Sequence, residues 1–190
     1  MSSQRKKALR DYVPKQVPAK NNKGYKTEFI YQGGWYVWDC SPETLRSFRL
    51  QALAATVLTV VLFLSGALQR TVCNTVSFVA VPSLLSILAL MLGTYGLFSR
   101  FLRVSRLQEY DFRSMHFKVQ AGFAAYAFFI LLAAAGCFFT IASGRWTSIS
   151  RELFTAFCYL ICGILSLAVC LCFKRLSYHR EEGGRVCNCR

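Results

Sequence analysis

The chain has 190 residues, of which 54% are hydrophobic and only 17% are charged, yet 23 lysine and arginine residues against 9 acids give a net charge of +14. This combination excludes an ordinary soluble enzyme core, and it also excludes a disordered chain, which needs low hydrophobicity. The two properties are compatible if the apolar residues form membrane spans and the basic residues lie outside them.

A basic segment comes first in the chain. Residues 1–26 contain eight basic residues, one acid and two prolines, without apolar periodicity, so we predict a disordered cytoplasmic arm. Such an arm either lies on anionic lipid headgroups or binds the phosphates of a nucleic acid. We favour the headgroups and expect no nucleic-acid partner.

An aromatic stretch follows at residues 27–39, and it reads TEFIYQGGWYVWD, with Gln32, Gly33 and Gly34 between two β-prone runs. This pattern predicts a short cytoplasmic β-hairpin. A two-stranded hairpin is marginal on its own and needs a surface to pack on, which a membrane interface or a partner protein would supply. The predicted interface residues are Tyr31, Trp35, Tyr36 and Trp38.

A helix is predicted to begin at Pro42. Ser41 suits the N-cap, proline suits the first helical position, and Glu43 suits the positive end of the helix. Residues 27–49 therefore hold the hairpin and the helix start, and we expect this helix to continue into the first apolar span.

Four apolar segments contain no Asp, Glu, Lys, Arg or His, and they cover residues 50–68, 76–98, 119–142 and 153–173. As helices, each is long enough to cross a hydrocarbon layer about 30 Å thick, and lipid offers no hydrogen-bond partner to a non-helical backbone. The sequence therefore predicts an all-α membrane protein, with four transmembrane helices in an antiparallel bundle over residues 50–174, the short N-terminal β-hairpin before it and a cytoplasmic tail at 175–190. The first span begins too deep for a cleaved signal peptide, so all four are expected to be permanent.

The basic residues predict the orientation. The N-terminal region, the second loop and the tail hold 20 of them, whereas the first and third loops hold only Arg70, Arg145 and Arg151. The positive-inside rule then places both termini in the cytoplasm, in a multi-pass protein of the cell membrane. The short first loop, residues 69–75, predicts that the first two helices are direct neighbours.

Three arginines recur every three residues after the second span, at Arg100, Arg103 and Arg106. They predict that the second helix extends past the membrane as a basic helix. These side chains either anchor the protein among anionic headgroups or bind a phosphorylated ligand. We favour anchoring and include them in the predicted lipid interface, because no glycine-rich loop or metal-binding carboxylates accompany them.

Small side chains recur along the fourth span. They are Cys158, Cys162, Gly163, Ser166 and Cys170. We interpret them as a face for close helix packing in lipid, and the alternative is a redox or metal-binding stripe. Ala121 and Ala125 form a matching small-residue pair on the third span, so the third and fourth helices are expected to pack there.

The remaining cysteines leave two questions open. A disulfide among Cys73, Cys137 and Cys158 is compatible with the predicted external half of the bundle, and the spacing does not say which two would pair. Cys187 and Cys189 supply only two thiolates, which do not complete a tetrahedral metal site. We predict no metal and no cofactor.

No motif of a known catalytic centre appears, and we predict no catalytic residue. The leading hypothesis is a non-enzymatic accessory or scaffold protein that binds anionic lipid, a membrane protein partner or a second copy of itself. The alternative is a small oligomeric transporter or channel, and a third hypothesis is an oxidoreductase that uses Cys158 and Cys162. The predicted transport site is lined by Thr56, Thr59, Ser86, Tyr126 and Tyr159.

Several short stretches carry a family resemblance. The hairpin YQGGWYVW, the helix start SPETLRSFRLQ, the span end SGAL and the second span NTVSFVAVPSLLSIL lie between residues 31 and 88. Together this part of the chain resembles small bacterial four-helix integral membrane proteins of unassigned function. The resemblance implies a four-helix membrane fold and supplies no activity or site.

Overall fold

The computed structural model describes residues 12–18, 25–102 and 106–181, and it is mostly helical. The four long helices are α1 (Pro42–Ala67), α2 (Ser77–Gly96), α3 (Glu109–Ala142) and α4 (Ile149–Arg175). The strands are β1 (Tyr12–Pro18), β2 (Tyr25–Tyr31), β3 (Trp35–Trp38), β4 (Arg106–Gln108) and β5 (Tyr178–Glu181). A 3₁₀ turn at Cys73–Thr75 precedes α2, and a π turn at Leu97–Phe101 follows it.

The four apolar segments are confirmed as helices, and all four helices are long and apolar enough to cross a membrane. The predicted start of α1 is also confirmed. Pro42 is its first residue, and the Ser41 hydroxyl accepts a hydrogen bond from the Thr44 amide at 3.2 Å. Helix α3 begins ten residues before the predicted span, because the charged turn that starts at Glu109 continues directly into it.

The helices pack in an order that differs from the predicted one. Helix α2 packs on α3, α3 packs on α4, and α4 packs on α1, so the main neighbour of α1 is the last helix and not α2. The reason lies at Gly66 of α1, where a Cβ atom would come within 3.1 Å of Cys158 and 3.2 Å of Tyr159. This close approach places α4 against α1, beneath the loop that leads to α2.

Hydroxyl-bearing residues lie in the interior of the bundle beside large side chains such as Phe123 and Ile130, and further large apolar residues cover its outside. Thr56, Thr59 and Ser86 are buried, and each donates its hydroxyl proton to a carbonyl of its own helix. The exposed residues include Leu58, Leu64, Leu84, Leu88, Phe128, Phe139, Phe157, Ile164 and Leu171. An apolar belt of this extent is unfavourable in water but matches a lipid surface, where small residues mediate helix contacts.

The strands form two small sheets in place of the predicted hairpin. Strands β1 and β2 pair with each other, and β3 lies between β4 and β5 in a three-stranded antiparallel sheet. The predicted hairpin across Gln32–Gly34 is therefore not formed, because its two arms, β2 and β3, belong to different sheets. Strand β1 also lies inside the segment 1–26 for which we predicted disorder, and residues 1–11 and 19–24 of that segment lie outside the described residues.

The predicted basic extension of the second helix differs from the structure as well. The helix passes into the π turn at Leu97–Phe101, and Arg106 lies in β4, where its backbone is opposite Val37 of β3. Pairing with β3 thus replaces helix propagation at this point of the chain. Arg103 and the side chain of Arg100 lie outside the described residues.

Candidate functional site

The three-stranded sheet covers one end of the bundle, which we call the sheet end, and it joins three distant segments of the chain. Trp35 of β3 is opposite Gln108 of β4 on one side and Glu181 of β5 on the other. Asp39 continues this pairing, since its amide donates to the carbonyl of Ser177 at 3.0 Å. The residues before α1, before α3 and after α4 are thereby held together.

An aromatic cluster lies between this sheet and the helices. Trp38 is only 6% exposed, and its ring meets the edges of Phe101 at 5.7 Å and Phe173 at 6.1 Å. Tyr36 stacks almost parallel on Phe112, with a centroid distance of 4.5 Å. Aromatic pairs in these geometries add about 0.5–1.5 kcal/mol each beyond the area that they bury, so the cluster fixes the sheet to the bundle.

The predicted interface residues of the aromatic stretch thus serve mainly intramolecular contacts. Trp38 is buried, and Tyr36 is half-buried against Phe112. Tyr31 and Trp35 are half-buried and meet edge to face at 5.4 Å, and the Tyr31 hydroxyl donates to the carbonyl of Gly34 at 3.1 Å. The structure differs most from the expectation at Trp38, since a side chain held under the sheet has no surface to offer a partner.

Charged side chains surround the outer side of the same sheet. The Glu109 carboxylate lies 2.7 Å from Arg113 and 3.5 Å from Arg180. His179 contacts Asp39 and lies 3.6 Å from Glu181. The hydrogen bond to Asp39 is the largest cause of a raised pKa at His179, which is otherwise solvent-exposed.

A groove of about 500 Å³ lies beside the sheet, between α3 and α4, and it is the candidate functional site. Its lining residues are Phe112, Arg113, His116, Phe117, Gln120, Ala121, Ala124, Cys170, Lys174 and Tyr178. Arg113 and Lys174 are exposed, and they come from the second turn of α3 and the last turn of α4. Ala121, Ala124 and Cys170 form an apolar wall deeper along the same two helices, so the groove combines a cationic mouth with an apolar floor.

The predicted small-residue face is divided between two neighbours of α4. The Cys162 thiol donates to the Thr59 carbonyl of α1 at 3.4 Å, and the Ser166 hydroxyl donates to the Phe123 carbonyl of α3 at 2.9 Å. Cys158 faces Gly66 of α1, whereas a Cβ atom at Gly163 would lie 2.6 Å from Leu131 of α3.

The two alanines of α3 that were predicted to match this face, Ala121 and Ala125, also lie in different surroundings. Ala125 packs against the core, whereas Ala121 lines the groove. The third and fourth long helices do pack together, as predicted, but through Ser166 and Gly163 rather than through both alanines. Across residues 12–18, 25–102 and 106–181, no group of three or more His, Cys, Asp or Glu side chains is placed to hold a metal ion.

A polar cluster that we did not predict from the sequence lies at the opposite end of the bundle, which we call the loop end. Glu152 of α4 is fully buried, and its carboxylate accepts hydrogen bonds from the amides of Val72 at 2.7 Å and Cys73 at 3.1 Å. Asn74 donates to the carbonyl of Gly66 and accepts from the Tyr159 hydroxyl, both at 3.0 Å. Glu152 is the single acid in the sequence segments that lie at the loop end, residues 69–75 and 143–152. An isolated acid beside an apolar span is the feature that could have indicated a buried polar site.

The residues of the predicted transport site lie in the packed interior. Thr56, Thr59, Ser86, Tyr126 and Tyr159 are all at most 3% exposed. The Tyr159 hydroxyl binds Asn74, whereas the Tyr126 hydroxyl is buried without a hydrogen-bond partner and lies beside the Cys162 thiol. None of these five residues lines the groove described above.

Comparisons of the chain with protein-family models, with curated proteins and with solved structures gave no match. The resemblance to small bacterial four-helix membrane proteins therefore stays a prediction. What the fold defines is a class, namely a four-helix protein whose helices are suited to a membrane.

We expect Glu152→Gln to destabilise the loop end by about 1–3 kcal/mol, because one of the two accepting oxygens becomes a donor that faces a backbone N–H group. The measurement is thermal unfolding in detergent together with hydrogen exchange of the Val72 and Cys73 amides, which bind this carboxylate. The matched control is Glu43→Gln, which changes an exposed acid in the first turn of α1. Unchanged unfolding and unchanged exchange of these two amides in Glu152→Gln would contradict the assigned role of this carboxylate.

The His179 contact predicts that the sheet end is more stable at pH 6 than at pH 8. A pKa raised by folding means that the folded state holds the proton more tightly. The contribution of His179 to the stability of the sheet end is therefore complete at pH values below its unfolded pKa of 6.5, and it is lost as the pH rises through its folded pKa. Hydrogen exchange of the β5 amides, corrected for intrinsic rates, measures this difference. His179→Asn should abolish it, and an equal pH dependence in that variant would refute the assignment.

Proposed function

We propose that the chain is a non-enzymatic accessory or scaffold protein of the cell membrane that binds an anionic phospholipid in the groove between α3 and α4. The single observation that carries the proposal is the composition of this groove, in which Arg113 and Lys174 stand at the mouth and Ala121, Ala124 and Cys170 form the floor. A cationic mouth suits a phosphate headgroup, and an apolar floor suits an acyl chain.

The proposed topology is an antiparallel bundle with both termini and the sheet end in the cytoplasm. The exposed apolar belt on the four helices supports insertion. The concentration of lysine and arginine in the segments that contribute to the sheet end supports the orientation. In this arrangement the groove opens toward the cytoplasmic leaflet, in which anionic lipids make the surface potential negative.

The charges at the groove mouth favour an anion. Arg113 is paired with Glu109, which offsets part of its charge, but Lys174 adds a second cation, and Arg180 also contacts Glu109. Gln120 and His116 lie 3.2 Å apart in the groove and provide polar hydrogens at an intermediate depth. The Arg113 guanidinium suits bidentate contact with phosphate oxygens, and Lys174 contributes a flexible point charge.

The orientation predicts an asymmetric protease pattern. A cleavable tag inserted after Gly144, in the exposed turn between α3 and α4, should be cut by protease added to intact cells. The same tag placed at the N-terminus should be cut only after the cells are opened, because positive-inside topology keeps that end in the cytoplasm. The reverse pattern would contradict the proposed sidedness.

Lipid binding predicts a loss of affinity when the groove mouth is neutralised. Each cation near the surface contributes about 1 kcal/mol, so Arg113→Gln or Lys174→Gln should weaken phosphatidylglycerol binding about fivefold, and the double variant about 30-fold. The measurement is native mass spectrometry of the detergent-solubilised full chain during titration with phosphatidylglycerol.

The matched control for this experiment is Arg145→Gln, which removes an exposed cation at the loop end and should leave the affinity unchanged. Zwitterionic phosphatidylcholine should bind more weakly than phosphatidylglycerol to the unaltered protein. Equal retention of phosphatidylglycerol by the double variant would refute the lipid site. A copurifying polypeptide that is lost with these substitutions would instead assign the groove to a protein partner.

A further inference from the structure

Two cysteines from distant parts of the chain meet at the loop end. Cys73 lies at the start of the 3₁₀ turn, Cys137 lies in the last third of α3, and both are 0% exposed. The Cys73 thiol donates to the Cys137 carbonyl oxygen at 3.6 Å, so the two residues are in direct contact. The turn that carries Cys73 packs directly on α3.

The third cysteine of this half of the bundle points elsewhere. Cys158 lies on α4 and faces α1. It packs so closely on Gly66 that a Cβ atom on this glycine would lie only 3.1 Å from the Cβ atom of Cys158. Its thiol has no hydrogen bond to Cys73 or Cys137 among those of the described residues. Of the three pairings that the sequence left open, the structure therefore singles out Cys73 with Cys137.

We propose that Cys73 and Cys137 form a disulfide that fastens the loop before α2 to α3. Two S–H bonds break and one S–S bond forms, and the two electrons pass to the disulfide of an extracytoplasmic thiol oxidoreductase. That disulfide is reduced to two thiols and takes up the two released protons. The inference rests on the proposed orientation, because the loop end then faces an oxidising compartment, whereas cytoplasmic thiols stay reduced.

The surroundings of Cys73 indicate when the bond forms. Burial, and after it the neighbouring Glu152 carboxylate, raise the pKa of the Cys73 thiol, so the closed loop contains little of the reactive thiolate. Both thiols are 0% exposed in the closed loop, so an oxidoreductase reaches them while the loop is still open, before Glu152 binds the amides of Val72 and Cys73. Once formed, the buried bond is protected from soluble reductants, as a structural disulfide requires.

The test is differential alkylation of the full chain in cells. Free thiols are blocked with N-ethylmaleimide under denaturing conditions, the protein is then reduced, and the released thiols are labelled with a heavy maleimide and quantified by mass spectrometry. We expect heavy label on Cys73 and Cys137 in more than half of the molecules, and a Cys73–Cys137 linked peptide without reduction. Cys158→Ser should leave this linkage intact, and Cys73→Ser should leave Cys137 free.

Complete first-step alkylation of Cys73 and Cys137 in the unaltered protein would overturn the proposal, and so would a link from either residue to Cys158. The tag after Gly144 separates this outcome from a failure of the proposed function. Free thiols together with an externally cleaved tag refute the disulfide alone, whereas a protected tag refutes the orientation on which both proposals rest. Lipid titration of the unaltered protein remains an independent readout in either case.

Discussion

An apolar outer surface is the constraint on which the rest of this bundle depends. Such a surface suits lipid, which supplies no hydrogen bonds, and the buried hydroxyls are paired within the protein. Thr56 and Thr59 donate to carbonyls of their own helix, and Ser166 donates to a carbonyl of α3. Small side chains then bring the helices close enough for dispersion contacts to replace a hydrophobic driving force. The position of α4 between α1 and α3 follows from this requirement, since α4 offers a glycine, a serine and two cysteines to its neighbours.

Local signals made part of the fold predictable. The spans followed from hydropathy and length, and the start of α1 followed from Ser41 and Pro42, which act within one helical turn. The strand pairing was not predictable in the same way, because β3 takes its partners from segments that precede α3 and follow α4. The adjacent glycines at 33–34 indicated a hairpin turn, whereas the chain makes a bend at Gly33 that separates two sheets instead of joining one.

In the candidate site, too, the features set by local sequence were predictable and those set by contacts between distant segments were not. The sequence identified basic residues near the membrane, but it did not show that Arg113 and Lys174 share one groove, since only the packing of α3 on α4 brings them together. Trp38 was predicted as an interface residue because tryptophan suits membrane surfaces, and tertiary packing on Phe101 and Phe173 instead buried it. Glu152 lies next to a span, where a lone acid requires a partner, and only the fold shows that its partners are the amides of Val72 and Cys73.

The central place of β3 has a consequence for biosynthesis. This strand leaves the ribosome before any of the four helices, yet the strand that completes its sheet follows the last of them. At usual elongation rates the interval is on the order of 10 s. In the topology proposed above, the aromatic strand waits in the cytosol with at least one edge unpaired for all of this time. That topology therefore calls for chaperone contact with this stretch, or for a delay in releasing the nascent chain from the insertion machinery.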